Sequence, residues 1–247
     1  MGRIQSIQSF STLDGPGSRC VVFFQGCPLG CVFCHNPDSW AADEGIELDV
    51  ATLLRRLERF RPFLQRPGLT LSGGEPLFQP GFALELLKAA RAAGWHVALD
   101  TSGWGPPESF ARIAGAADLV IFSIKHPLAP QGLAPHCDPQ AIRANWRTLA
   151  RLKIPVWLRY VLIPGWSDQP RALQALGALA REQPNLERLE VLPFNNLAAD
   201  KWLKAGRTSP LFSEPPIRVT EEQIVTAERL IGWRPESPAR AEEGAGG

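Results

Sequence analysis

Residues 25–36 read Gln25-Gly26-Cys27-Pro28-Leu29-Gly30-Cys31-Val32-Phe33-Cys34-His35-Asn36 and directly follow an apolar, strand-like segment. The thiols of Cys27, Cys31 and Cys34 have the spacing C-x3-C-x2-C. A cubane iron–sulfur cluster is normally held by four cysteine thiolates, so three thiolates on one loop leave one iron free to bind a small molecule. The spacing therefore predicts a [4Fe-4S] cluster with an open iron, which is typical of a reactive site rather than of iron storage.

Two other uses of these cysteines fit the sequence less well. A structural zinc site takes four ligands, commonly as two separated pairs. Cys20 and Cys137 are each isolated, and His35 is the neighbour that would complete a Cys3His site. A disulfide framework is typical of short secreted chains, whereas this chain has 247 residues, five cysteines and an N-terminus too polar for a signal peptide. We expect reduced thiols, with Cys20 a small buried residue on a strand and Cys137 in a loop that could expose it.

The composition is that of an ordinary soluble enzyme and argues against two classes of partner. Lys and Arg number 26, Asp and Glu number 25, and no long basic run is present. This balance gives no electrostatic footprint for nucleic acid or for an anionic membrane, so neither is expected as a partner. No apolar run reaches the roughly 20 residues that a membrane helix needs. We expect a cytoplasmic protein.

Apolar, strand-like runs alternate with amphipathic helical patterns along the chain. Strands are expected at residues 19–24, 68–72, 96–100, 119–124, 156–163 and 188–193, and helices at residues 50–65, 80–93, 108–114, 139–152, 170–182 and 220–231. Regular alternation of strand and helix predicts an α/β fold with a parallel sheet. Six such units are fewer than the eight of a closed barrel, so we expect a partial (β/α)6 TIM-like barrel.

The two ends of the chain depart from this alternation. Residues 4–10 alternate apolar and polar side chains and predict an edge strand. Residues 236–247 consist mostly of Pro, Ala, Glu and Gly without an apolar face, which is typical of disorder. We therefore expect a single domain over residues 1–235 and a disordered tail over residues 236–247.

Polar and glycine-rich motifs follow four of the predicted strands. They are Ser72-Gly73-Gly74-Glu75, Asp100-Thr101, Lys125 and Asn195-Asn196. Ligands of such sheets bind at the carboxyl ends of the strands, so these loops are expected to face one mouth. Two adjacent glycines let the backbone approach a ligand, although a glycine pair alone is more often a surface turn. Five tryptophans could line this mouth, although most of them are expected to pack in the core or at the rim: Trp40, Trp104, Trp157, Trp166 and Trp202.

The cysteine loop and the Gly-Gly-Glu loop together resemble the radical S-adenosylmethionine superfamily, whose hallmark is this pair of loops after the first and second barrel strands. More narrowly, about residues 3–232 resemble the pyruvate formate-lyase activating enzyme family. The shared motifs are Asp14-Gly15-Pro16-Gly17, Phe23-Phe24-Gln25-Gly26-Cys27, Cys34-His35-Asn36, Leu99-Asp100-Thr101, Val156-Trp157-Leu158-Arg159-Tyr160 and Pro164-Gly165-Trp166-Ser167-Asp168. Many glycyl-radical activases carry extra cysteines between these two loops. Residues 35–68 contain none, which favours the type that activates pyruvate formate-lyase.

The resemblance implies a radical SAM type of barrel and a set of ligand-binding residues. It implies that Cys27, Cys31 and Cys34 bind a [4Fe-4S] cluster whose fourth iron is chelated by S-adenosyl-L-methionine, with Asn36 supporting the cluster. The residues implied to bind S-adenosylmethionine are Phe33, Cys34, His35, Gly73, Gly74, Glu75, Asp100, Ser123, Lys125 and Asn195, with the Gly-Gly-Glu loop at the methionyl amine. Asp100 and Thr101 match a possible monovalent-cation site, and Asp14 and Arg159 match positions that meet an incoming substrate peptide.

The implied activity is that of a glycyl-radical enzyme activase. Reductive cleavage of S-adenosylmethionine would give methionine and a 5′-deoxyadenosyl radical, which abstracts hydrogen from a glycine of a partner enzyme, pyruvate formate-lyase before others. The cofactors carry this chemistry, so no catalytic residues beyond their ligands are expected. The implied electron donor is a reduced flavodoxin or ferredoxin. A monomer is expected because the open side of a partial barrel must admit a protein loop.

Two departures from the family pattern leave other functions open. Ser123 stands where the family has an aspartate, and Asn195 stands where it has a histidine. One alternative is a radical SAM enzyme that acts on another glycyl-radical partner or on a small molecule, although the Asp14 and Arg159 motifs favour a peptide. The other alternative is a non-enzymatic iron–sulfur or metal-binding protein with the same fold.

Overall fold

One mixed sheet of eight strands forms the centre of the computed structural model, which describes residues 1–212 and 215–235. The strands are β1 Gly2–Ser11, β2 Arg19–Phe24, β3 Ile46–Leu48, β4 Gly68–Gly73, β5 His96–Thr101, β6 Leu119–Ser123, β7 Val156–Leu162 and β8 Leu186–Pro193. Their order is β3-β1-β2-β4-β5-β6-β7-β8. Strands β2 and β4 to β8 pair in parallel, whereas β1 pairs antiparallel with both β2 and β3. Because the edge strands β3 and β8 do not pair with each other, the barrel is partial, which confirms the predicted fold class. The tail predicted over residues 236–247 lies outside the described residues.

The helices follow the strands as expected for βα units. They are α1 Val50–Glu58, α2 Pro80–Ala92, α3 Pro107–Ala114, α4 Pro139–Leu152, α5 Pro170–Arg181, α6 Ala199–Lys204 and α7 Glu221–Ile231. Four of them begin at proline, whose missing N–H would have no partner in the first helical turn. The Asp138 carboxylate accepts the N–H groups of Gln140 and Ala141 at the start of α4. Within the described residues, no helix is long and apolar enough to span a bilayer.

Three sequence predictions about the elements need correction. The strand over residues 4–10 is not at the edge, because β3 pairs outside β1 with Gly2 opposite Leu48. Strand β3 and helix α6 were not predicted. Three residues are too few to show an alternating pattern, and six are too few to show a helical period. The helix predicted over residues 50–65 ends at Glu58, since Pro62 lacks an N–H and its ring would clash with the Glu58 carbonyl.

A second, smaller hydrophobic cluster lies beside the main core and covers the cysteine loop. It includes Leu29, Phe33, Leu133, Phe194 and Leu211. Cys137 belongs to this cluster and is buried, contrary to the exposure suggested for its loop. The loop is held against the cysteine loop, because the His136 N–H donates to the Leu29 carbonyl oxygen at 3.3 Å. Cys20 is fully buried, as predicted.

Helices α5 and α7 touch at Gly177. A β-carbon at this position would lie 1.9 Å from the Ile231 carbonyl oxygen. The Ile231 carbonyl is part of the α7 backbone and can make room for a methyl group only if the helix moves. Gly177→Ala is therefore expected to lower the free energy of unfolding by about 1–3 kcal/mol. The measurement is the midpoint of urea unfolding followed by circular dichroism.

The matched control is Gly81→Ala, also within a helix. A β-carbon at Gly81 would meet nothing within 4 Å. Alanine loses less backbone entropy than glycine on folding, so this change is expected to be neutral or stabilising by less than about 1 kcal/mol. Equal losses of stability in the two variants would contradict the proposed contact between α5 and α7.

Candidate functional site

A cavity of about 490 Å³ opens at the carboxyl ends of the parallel strands. Its lining brings together the cysteines and the residues predicted to bind S-adenosylmethionine: Cys27, Cys31, Phe33, Cys34, His35, Gly73, Gly74, Glu75, Asp100, Thr101, Ser123, Lys125 and Asn195. Asn36 lines the cavity as well, whereas Asp14 and Arg159 do not. The expected convergence of the strand-end loops on one mouth is therefore observed, while the roles of the individual residues remain predictions.

Backbone hydrogen bonds hold the cysteine loop at both ends. The Gly26 N–H donates to the Ser39 carbonyl oxygen at 2.7 Å, and the Val32 N–H donates to the Leu133 carbonyl oxygen at 2.9 Å. Gly26 has a φ of 92°, in the left-handed region that favours glycine. All five cysteines of the chain are free thiols, so the loop carries no disulfide.

The donor set fits an iron–sulfur cluster. A single zinc ion draws its ligands to within about 2.3 Å of one point, whereas a cubane distributes its thiolates over separate irons. Among the described residues, no three His, Cys, Asp or Glu side chains meet closely enough to hold one metal ion. His35 is also engaged elsewhere, with Nε2 3.2 Å from the Asn195 carbonyl oxygen. The arrangement thus favours a cluster over the Cys3His zinc alternative.

The three thiols are protonated in the bare protein. Burial raises the pKa of Cys31 to about 12 and also raises the pKa values of Cys27 and Cys34. A thiol binds metal as a thiolate, so loading the site with iron releases protons.

The loop after β4 lies directly against the cysteine loop. The Gly74 N–H donates to the Phe24 carbonyl oxygen and the Glu75 N–H donates to the Gly26 carbonyl oxygen, both at 2.9 Å. A β-carbon at Gly74 would lie 2.4 Å from the Gly26 carbonyl oxygen, and one at Gly73 would lie 2.4 Å from the Phe24 nitrogen. The two glycines therefore serve the approach of one loop to the other, in addition to the predicted approach of a ligand.

Glu75 joins the loops after β4 and β5. Its buried carboxylate accepts four hydrogen bonds, from the hydroxyls of Thr101 and Ser102 at 2.6 Å, the Ser102 N–H at 2.9 Å and the Leu77 N–H at 3.2 Å. Burial raises the pKa of Glu75, and these donors oppose the shift. The sequence did not indicate this structural role.

A buried charge cluster lies next to the cavity around Arg159 of β7. Arg159 Nε is 2.6 Å from Glu190 Oε2, while its Nη1 is 3.5 Å from Asp100 Oδ2 and 4.0 Å from Asp14 Oδ1. Burial alone would lower the pKa of Arg159, but the three carboxylates together raise it above its usual value. Burial raises the pKa of Asp100, against the opposing effect of Arg159. Asp100 thus links the cavity to the pair predicted to meet a peptide.

The Asp14 loop, residues 12–18, is held by a buried arginine. Arg19 Nη1 donates to the Pro16 carbonyl oxygen at 2.9 Å and its Nε donates to the Thr70 hydroxyl oxygen at 2.6 Å. The Thr70 hydroxyl in turn donates to the Asp14 carbonyl oxygen at 2.6 Å. Burial lowers the pKa of Arg19 to about 10, so it remains charged at neutral pH.

Sequence reasoning missed Glu190 and the hydrogen bonds that Ser72 and Ser102 make to the carboxylates of the site. The Ser72 hydroxyl donates to Asp100 Oδ2 at 2.8 Å. Glu190 gave a signal in the sequence, a carboxylate within the otherwise apolar end of a strand, but its partner Arg159 lies on another strand. Trp40 lines the cavity, which is one of the two positions that the sequence left open for the tryptophans.

The contact between the two loops can be tested at Gly74. In Gly74→Ala, the new β-carbon would clash with the carbonyl oxygen of Gly26, the residue that precedes Cys27, and push the two loops apart. The resulting strain is about 1–3 kcal/mol. We expect the variant to retain much less iron than the wild type after anaerobic reconstitution, measured as iron and sulfide per chain. Gly132→Ala is the control, because a β-carbon there would meet nothing within 4 Å. Wild-type iron content in Gly74→Ala would contradict this account of the loop.

Comparisons with known sequences agree with the site. The Radical SAM superfamily model matches residues 21–174. The pyruvate formate-lyase-activating enzyme of Clostridium pasteurianum is 38% identical over 210 residues, covering 83% of this chain and 87% of that protein. The pyruvate formate-lyase 1-activating enzyme of Escherichia coli (strain K12) is 34% identical over 231 residues, covering 91% of this chain and 94% of that protein.

A solved structure shares the fold. The radical SAM methyltransferase from Sphaerobacter thermophilus matches with a TM-score of 0.62 at 19% sequence identity, covering 87% of this chain and 63% of that chain. Radical SAM enzymes use a [4Fe-4S] cluster and S-adenosylmethionine, which is the pair of cofactors that the cysteine loop and the cavity fit. The chain belongs to the radical SAM superfamily and, within it, to the family of pyruvate formate-lyase-activating enzymes.

Proposed function

We propose that this chain is a glycyl-radical enzyme activase whose partner is a pyruvate formate-lyase. The observation that carries the proposal is one cavity that joins three free cysteines and the Gly-Gly-Glu loop to the Asp14–Arg159 pair through Asp100. Relatives named pyruvate formate-lyase-activating enzymes support it, at 34% and 38% identity over most of the chain. A non-enzymatic role is not favoured, because the cysteines and the lining residues form one site.

The cavity residues have separate tasks in this proposal. Cys27, Cys31 and Cys34 hold the [4Fe-4S] cluster. The backbone carbonyls of Gly73 and Gly74 bind the methionyl amine, because the Glu75 carboxylate is already occupied by four donors of the chain. When bound and reduced, the cluster supplies the electron that splits S-adenosylmethionine into methionine and a 5′-deoxyadenosyl radical.

Lys125 is suited to the carboxylate of S-adenosylmethionine. No carboxylate of the described residues forms an ion pair with it, and its Nζ lies 5.8 Å from the centre of the Phe33 ring. The two departures from the family pattern keep hydrogen-bonding groups at the cavity wall. Ser123 keeps a hydroxyl, and Asn195 uses Oδ1 to accept the Leu197 N–H at 3.1 Å, which leaves its amide NH2 as a donor.

The rings of Phe33 and His35 are proposed to lie against the adenosine moiety. The His35 ring packs against Phe194 and Phe212 at centroid distances of 6.3 and 6.5 Å. These contacts hold the imidazole at the cavity wall. Burial lowers the pKa of His35, so the ring is neutral at pH 7 and suited to packing on a base.

The peptide is proposed to meet Asp14 and Arg159. Arg159 Nη2 donates to the Leu13 carbonyl oxygen, and its Nε is held by Glu190 Oε2, so the guanidinium has a fixed orientation. Asp100 and Thr101 are the proposed ligands of a monovalent cation. Such a cation would add positive charge beside Asp100, whose ionised form burial disfavours.

The proposal extends to the surroundings of the enzyme. A reduced flavodoxin or ferredoxin is the proposed electron donor, and the chain is proposed to act as a monomer in the cytoplasm. Residues 1–235 are proposed to form one domain, because β2 to β8 share one sheet and one hydrophobic core.

The decisive experiment is anaerobic. After reconstitution with iron and sulfide and reduction with dithionite, S-adenosylmethionine is added with and without a glycyl-loop peptide of pyruvate formate-lyase. We expect 5′-deoxyadenosine to rise with the peptide, and a glycyl radical in the electron paramagnetic resonance spectrum of intact pyruvate formate-lyase. If the amount of 5′-deoxyadenosine is the same with and without the peptide or the intact partner, the enzyme acts on another substrate. An absence of cleavage despite a complete cluster would contradict an enzymatic role.

Asp14→Asn tests the peptide site. The change removes the charge that accompanies Arg159 and is expected to raise the KM for the peptide by about tenfold or more, since hydrogen bonds to charged groups contribute about 1.5–3 kcal/mol. The measurement is the dependence of 5′-deoxyadenosine formation on peptide concentration.

Glu182→Gln is the control for Asp14→Asn. Glu182 pairs with Arg143 at 3.2 Å on the surface, and such exposed pairs contribute little. We expect the KM for the peptide to remain at the wild-type value. An unchanged KM in Asp14→Asn would exclude Asp14 from the peptide site without affecting the cluster assignment.

A further inference from the structure

The indole N–H of Trp40 is a buried hydrogen-bond donor without an acceptor. Its Nε1 is buried and makes no hydrogen bond to any described residue. Buried donors in native proteins nearly always have a partner in the protein, in ordered water or in a ligand. Trp40 lines the cavity together with Cys27 and Cys34, so the acceptor is to be sought in what the cavity binds.

The sulfur of Cys34 is the candidate acceptor, because Trp40 and Cys34 line the same cavity. Trp202 also joins the two residues, since its ring packs edge-on against the Trp40 ring and its Nε1 donates to the Cys34 carbonyl oxygen. A ligated thiolate carries more negative charge than a thiol and is a stronger acceptor.

The indole ring is held in place from several sides. The Trp202 ring meets it edge-on at a centroid distance of 5.4 Å, and the Arg207 guanidinium lies 4.7 Å above it. The Trp40 carbonyl oxygen accepts the Cys27 N–H at 3.3 Å, while Trp202 Nε1 donates to the Cys34 carbonyl oxygen at 2.8 Å. These contacts couple the indole to two of the three cysteines.

We propose that Trp40 Nε1 donates a hydrogen bond to the Cys34 sulfur of the bound cluster and thereby raises the reduction potential of that cluster. Hydrogen bonds to cluster sulfurs are among the factors that set this potential, because they stabilise the more negative, reduced state. The Asn36 N–H already donates to Cys34 Sγ at 3.3 Å, so the indole supplies a second donor from a replaceable side chain. The inference rests on the cluster of the proposed function and is independent of the substrate.

Trp40→Phe isolates the N–H. Phenylalanine keeps an aromatic ring between Trp202 and Arg207 but has no donor. After anaerobic reconstitution, the reduced cluster is titrated by electron paramagnetic resonance at set potentials. We expect the ratio of reduced to oxidised cluster at a fixed potential to fall by about three- to tenfold, as for the loss of one hydrogen bond. A tenfold change corresponds to about 59 mV in a one-electron couple.

Trp157→Phe is the matched control. Trp157 also has an arginine over its ring, with Arg188 at 4.7 Å, but it does not line the cavity. We expect the wild-type potential in this variant. An equal shift of the reduction potential in both variants would overturn the proposal. The shift would then follow from removing an indole that stacks on an arginine, wherever it lies in the fold.

A direct reading of the contact uses protein labelled with ¹⁵N-tryptophan. We expect the reduced wild-type cluster to show a magnetic coupling to an indole nitrogen and to an exchangeable proton, and both to disappear in Trp40→Phe. Full iron content with an unchanged potential in Trp40→Phe would overturn the proposal. If Trp40→Phe loads poorly, the labelled wild type decides, and absence of the coupling there overturns it. A wild-type chain that assembles no cluster would overturn both this inference and the proposed cofactor.

Discussion

The close approach of the Gly-Gly-Glu loop to the cysteine loop is the constraint on which the rest of the site depends. Two backbone hydrogen bonds of 2.9 Å join the loops, and neither Gly73 nor Gly74 has room for a β-carbon. The carboxylate of Glu75 extends the connection to the loop after β5. The geometry of the cysteines is thus set by packing between strand ends, so the site depends on the register of the parallel sheet.

Electrostatics organise the other side of the cavity. Arg159 is surrounded by Asp14, Asp100 and Glu190, a largely buried arrangement in which three carboxylates share one guanidinium and Glu190 also pairs with Arg188. Removing one partner from such a cluster leaves an uncompensated buried charge, which is strongly unfavourable. Burial raises the pKa of Asp100, and Arg159 opposes this shift and favours the ionised carboxylate between the cavity and the Asp14 loop. The Asp14 loop is therefore connected to the cavity through charges rather than through an apolar wall.

The wall beside Cys34 is formed by residues distant in sequence. Trp202 of α6 donates to the Cys34 carbonyl oxygen and packs on Trp40, while Lys201 Nζ donates to Asn36 Oδ1 at 2.8 Å. A short helix that the sequence pattern does not predict thereby supports the cysteine loop. Its position explains how the indole N–H of Trp40 comes to be buried beside that loop.

The sequence by itself determined the fold class, the open barrel and the cysteine spacing, because strand and helix periodicity and the distance between thiols are local properties. It also placed the polar and glycine-rich motifs at the strand ends. Only the tertiary structure decided that β3 pairs outside β1, that Glu75 accepts four hydrogen bonds from its own chain, that Glu190 pairs with Arg159, and that Trp40 is one of the tryptophans that line the cavity. These features depend on contacts between residues far apart in the chain, and a single sequence carries no signal for which side chains such contacts leave paired, buried or free.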